Sequence, residues 1–80
     1  GENMIAQIIM RDDKKKIVST LVKGLRKIEC LYVSGDGEKT IIDSDFSEKF
    51  DLNGLLEAKF LGNGNSLIIK GDEIKGVFFK

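Results

Sequence analysis

The sequence predicts an α+β fold: a small bent antiparallel sheet of five to six strands with one amphipathic helix. Three observations predict it. Leu55 to Phe79 holds three short apolar runs separated by Gly62-Asn63-Gly64-Asn65 and Gly71-Asp72, the pattern of an antiparallel meander. Ser34-Gly35-Asp36-Gly37 signals a hairpin, because glycine reaches positive φ without a Cβ clash. Ile17, Val18, Leu21, Val22, Leu25 and Ile28 fall on one helical stripe. An all-β barrel is the alternative.

Taken in order, Met4 to Met10 is a short apolar run whose length and Ile content favour a strand. The helix is expected over Asp13 to Ile28. Asp12 or Asp13 would cap it, and acids at its start and bases toward its end suit the helix dipole. Gly24 and the β-branched run Ile17-Val18-Ser19-Thr20 weigh against it. The competing reading is a hairpin in which Ile17 to Val22 pairs back on Met4 to Met10.

Ile28 to Val33 reads as a strand with Ile28, Cys30 and Tyr32 on one face, and Lys39 to Ile42 as its partner. Asp43 to Asn53 is an acidic connection with Phe46, Phe50 and Leu52 set into it, and the two aromatics are expected to pin it to the core. Asp45 and Glu48 have capping-box spacing for a single helical turn. Leu56, Ala58 and Phe60 alternate with Glu57 and Lys59, as in a half-buried strand. A helix over Asn53 to Leu61, stopped by Gly62, is the alternative there. Ser66 to Lys70 and Ile74 to Phe79 complete the sheet.

Eighty residues form one expected domain, 1–80, with a thin core. Apolar residues at 41% make the chain too hydrophobic for disorder. No apolar run approaches the roughly 18 residues of a membrane span, so no membrane partner is expected. A single cysteine, Cys30, excludes an internal disulfide and suits a cytoplasmic protein. With no histidine and one cysteine, a single chain cannot assemble a structural zinc site, and no metal or cofactor is expected. Association is then the expected support for so small a core.

Candidate chemistry is sparse. General acid–base work most often uses histidine, which is absent, and a cysteine nucleophile would lack its usual base. Cys30 reads as a small core residue. Asp43, Asp45, Glu48 or Asp51 could build a carboxylate pair, but a fold this small leaves little room for a water-excluding cleft. Asp43-Ser44-Asp45-Phe46-Ser47 opens like a calcium loop, yet Glu48 stands where glycine is needed and Gly54 where a bidentate Glu is needed. Gly35-Asp36-Gly37 and Gly62-Asn63-Gly64 match no phosphate loop.

Charge is unevenly spread. Residues 1–28 carry net +4 and residues 29–80 net −4. Lys14, Lys15, Lys16, Lys23, Arg26 and Lys27 form a basic set that could meet phosphates from one helix face. Solvated surface charge is the plainer reading. Leu67-Ile68-Ile69-Lys70-Gly71-Asp72-Glu73-Ile74 resembles the second half of the signature of Sm-like RNA-binding proteins, where a strand runs into a basic residue, Gly and Asp or Asn, then an apolar strand. The resemblance implies a ring of subunits in which Lys70 and Gly71 line a nucleotide pocket. Phe50-Asp51-Leu52-Asn53 departs from the first half of that signature. Gly71-Asp72 also reads as a plain hairpin turn.

The expected function is a non-enzymatic interaction module. It would associate with itself as a homo-oligomer or dock on another protein, with Met4 to Met10 or Ile74 to Phe79 as an unpaired edge. The alternative is a small RNA- or DNA-binding protein using the basic helix face and the Lys70-Gly71 turn. A third reading is an enzyme active only across a subunit interface.

Overall fold

The computed structural model describes residues 4–43 and 50–80. These residues form seven strands: β1 (Ile5–Arg11), β2 (Ile17–Lys23), β3 (Lys27–Ser34), β4 (Gly37–Asp43), β5 (Leu55–Leu61), β6 (Ser66–Lys70) and β7 (Ile74–Phe79). Gly71–Glu73 is a single 3₁₀ turn between β6 and β7. The strands make two antiparallel sheets, β2-β1-β7 and β4-β3-β5-β6. No helix of the described residues is long and apolar enough to cross a membrane.

The α+β expectation is therefore overturned: there is no amphipathic helix, and the described chain is all β apart from the 3₁₀ turn. Residues 13–28 instead form the β1–β2 hairpin turn, β2, a bend and the start of β3. The reason lies in the spacing. Adjacent apolar pairs at Ile17-Val18 and Leu21-Val22 satisfy a helical stripe, but on a strand they place one residue of each pair on either face. Val22 is buried while Leu21 is exposed. The β-branched run then decides for a pleated backbone.

Asp12 caps a turn rather than a helix. Its Oδ1 accepts hydrogen bonds from the backbone N–H of Lys14 and of Lys16, both at 2.9 Å. Lys15 takes the left-handed conformation that closes the loop (φ 65°). At the far end of β2 the chain turns a corner at Gly24, with φ +62°, where an added Cβ would stand 2.7 Å from Asn63 Cβ. Arg26 N–H donates to Leu61 O at 2.8 Å, so β3 begins in the second sheet.

The last third differs from a meander. β5 and β6 pair as a hairpin, but β7 leaves them and pairs with β1. Gly71-Asp72 is thus the crossing between sheets and not a hairpin turn. Gly71 is buried, and a Cβ there would stand 1.8 Å from Leu55 O, so glycine is required by backbone approach. Met4 to Met10 likewise is no open edge: β1 is flanked by β2 and β7. Ile74 to Phe79 is an edge, pairing with β1 alone among the described residues.

The inward faces share one core. Ala6, Ile8 and Val22 from the first sheet and Ile28, Cys30, Ala58, Phe60 and Ile69 from the second are buried together, with Leu25 at the corner. Phe60 is fully buried, and Phe50 stacks on it at a centroid distance of 5.9 Å. Leu52 is 38% exposed. Phe46 and the expected Asp45–Glu48 helical turn lie outside the described residues. So does most of the calcium-like stretch.

Candidate interaction surface

The outward faces of the two sheets are unlike. In the first sheet, register places Phe78, Gln7 and Leu21 in one row and Gly76, Ile9 and Ser19 in the next. Ile17 lies beyond them, opposite Arg11. Phe78, Leu21 and Ile17 are exposed although large and apolar. The Phe78 ring lies back over Gly76, whose missing Cβ leaves it room: an added Cβ would be 3.3 Å from Phe78 Cε2. Gln7 Nε2 donates to Ser19 Oγ at 3.0 Å, crossing from β1 to β2 between the apolar side chains. Arg11 lies opposite Ile17, and Lys23 opposite Ile5.

The second sheet pairs opposite charges at the centre of its outward face, between exposed Ile42 and Ile68. Glu29 lies opposite Lys59, and Glu57 opposite Lys70. Lys27 Nζ stands 3.3 Å from Glu29 Oε2. Cross-strand opposite charges of this kind suit a solvated face.

The edges differ in the same way. β2 pairs with β1 alone among the described residues. Ile17 to Val22 is six residues without a charge, proline or glycine, and Ile17, Val18, Ser19 and Leu21 are exposed. Proteins usually blunt such an edge with charge or a bulge. β4, the edge of the second sheet, carries Glu38 and Lys39 and ends in Asp43, with exposed Ile41 and Ile42 between.

The basic set lies on no helix face, because no helix forms. Lys14, Lys15 and Lys16 occupy the β1–β2 turn, all exposed. Lys23, Arg26 and Lys27 sit at the opposite end of β2, about 20 Å away at roughly 3.3 Å per strand residue. Arg26 borders a shallow depression of about 380 Å³, with Leu61, Gly62, Gly64, Asn65 and Ser66. Lys70 stands apart, on the outward face of the second sheet opposite Glu57. Gly71 is buried against the Leu55 carbonyl. The structure thus gathers the cations into two groups flanking β2.

Among the described residues no group of three His, Cys, Asp or Glu side chains is placed to hold a metal ion. Cys30 is buried in the core. β2 is the feature that sequence reasoning missed as an edge. Its signal was present in the uncharged Ile17–Val22 run, which the helical stripe absorbed. Compared with protein-family models, curated proteins and solved structures, the chain matches none.

Proposed function

We propose that this protein is a non-enzymatic interaction module that associates with itself through the first sheet, with β2 as the contact strand. The observation that carries the reading is the β2 edge: an uncharged six-residue strand, exposed at Ile17, Val18, Ser19 and Leu21, and paired on one side only among the described residues. An extended partner strand gains main-chain hydrogen bonds along such an edge and side-chain pairing at alternate positions. The apolar patch of Ile9, Ile17, Leu21 and Phe78 beside it supplies area that association would remove from water. That the module is non-enzymatic rests on the sequence, which has no histidine and one cysteine, and on that cysteine's burial.

Light scattering over a concentration series tests the reading. The wild type is expected to grow beyond its 8.9 kDa monomer mass as concentration rises. Leu21→Lys, at an exposed position, is expected to hold it at the monomer while leaving circular dichroism unchanged. A wild type that stays monomeric at millimolar concentration sinks the reading. Tight binding of labelled poly-U near 50 mM salt by that monomer would assign the cations to nucleic acid instead.

A further inference from the structure

Resting on the self-association just proposed, we infer that the contact is two-fold: the β2 strands of two copies pair antiparallel about Ser19, with Ile17 of each against Leu21 of the other. The main-chain groups along β2 set this register. Ile5 and Lys80 exchange hydrogen bonds at 3.0 and 2.9 Å, so the Ile5 amide and carbonyl face β7. Lys23, opposite Ile5 on β2, therefore turns its own groups away from β1. Its carbonyl accepts from Asn63 N–H at 3.2 Å on that far side. Bonding alternates along a strand, so Leu21, Ser19 and Ile17 also present N–H and C=O to the free side, while Val22, Thr20 and Val18 face β1. At the hairpin end Asp12 N–H donates to Lys16 O at 2.9 Å, which gives the same phase.

Both ends of this free side are closed. The Asn63 turn occupies it at Lys23, and Val22 is buried beside Gly62. At the start of the strand Lys15, with φ 65°, turns the chain back toward β1. The open length is thus Ile17 to Leu21, and its centre is Ser19. A two-fold axis there sets Ser19 against Ser19, and Ile17 against Leu21 on either side. Each of these pairs exchanges two main-chain bonds, so every open donor and acceptor of one copy meets one of the other. An axis at Thr20 instead sets Ile17 against Lys23, whose carbonyl is taken. An axis at Val18 sets Leu21 against Lys15, which lies in the turn.

Side-chain direction agrees. Ile17, Ser19 and Leu21 lie on the outward face, Val18 and Thr20 on the other. The pairing joins the two first sheets into one, β7-β1-β2-β2-β1-β7, and Ile17 of one copy extends the row Phe78, Gln7, Leu21 of its partner. Ile17 and Leu21, 55% and 45% exposed, are covered by each other. Val18 meets Thr20, a β-branched pair suited to a sheet. Both copies use the same edge, so assembly closes at a dimer. Lys16 of one copy and Lys23 of the other come near each other at both ends and oppose the contact.

A cysteine scan tests the inference. Val18→Cys, Ser19→Cys and Thr20→Cys are each treated with oxidised glutathione, with the wild type as control because Cys30 is buried. In the proposed register the two Cα atoms at position 19 stand about 5.5 Å apart, within disulfide reach. Those at position 18, or at 20, are diagonal neighbours at about 7–8 Å, out of reach. Only Ser19→Cys is expected to give a linked dimer, and scattering from the wild type is expected to level off at twice the 8.9 kDa monomer mass. Raising salt from about 50 to 500 mM is expected to tighten the dimer by screening the lysines. If Ser19→Cys stays unlinked, if Val18→Cys or Thr20→Cys links faster, if salt loosens the dimer, or if the wild type grows past it, the two-fold register is wrong while self-association stands. A wild type that stays monomeric brings down both readings.

Discussion

The outward faces of the two sheets rest on one core yet are finished differently. β4-β3-β5-β6 shows water opposite charges at its centre, Glu29 against Lys59 and Glu57 against Lys70, with Ile42 and Ile68 at the ends of the row. β2-β1-β7 shows it Ile17, Leu21 and Phe78. Hydrophobic burial cannot account for the contrast, because Phe60 and its neighbours satisfy both inward faces alike. Exposed apolar area gains nothing for the isolated chain, whereas exposed opposite charges cost little and deter wrong partners. The proposed contact through the first sheet rests on that difference.

Three substitutions break or sharpen that contrast, from the largest effect to the smallest. Phe60→Ala removes the buried ring shared by both sheets and is expected to cost about 3–5 kcal/mol, read by urea unfolding. If the two sheets melted separately in that variant, the common core would be wrong. Gly24→Ala forces a Cβ toward Asn63 at positive φ, where the chain passes from one sheet to the other. A loss of about 1–3 kcal/mol is expected, with near-normal spectra. A neutral result would mean that the corner can relax. Glu29→Gln removes one partner of the Lys27 ion pair on the charged face. Both side chains are partly exposed, so a change of under about 1 kcal/mol is expected and self-association should not move. A loss of association there would put the charged face in the contact and reverse the comparison.

Much of the strand pattern was legible in residue order. β5, β6 and β7 fall where the alternating runs and glycine clusters place them, and the β3–β4 hairpin follows from Gly35-Asp36-Gly37. Two things were not legible. Ile17-Val18 and Leu21-Val22 satisfy periods of both 3.6 and 2, so the region 13–28 could not be decided from spacing. Gly71 looked like a hairpin turn, because nothing local announces that Leu55 O lies against it.

Residue order alone settled where the apolar runs and their breaks fall in the last third, that no histidine is available for catalysis, and that opposite charge gathers toward the two ends of the chain. Those properties are local or additive, so reading along the chain suffices. Only the tertiary structure decided that residues 17–22 form an edge strand, that β1 lies at the centre of its sheet, and that the cations divide into two groups around β2. Those outcomes depend on which strands pair across the molecule. Pairing is chosen by burial of the whole set of apolar faces at once, and no single stretch carries that information.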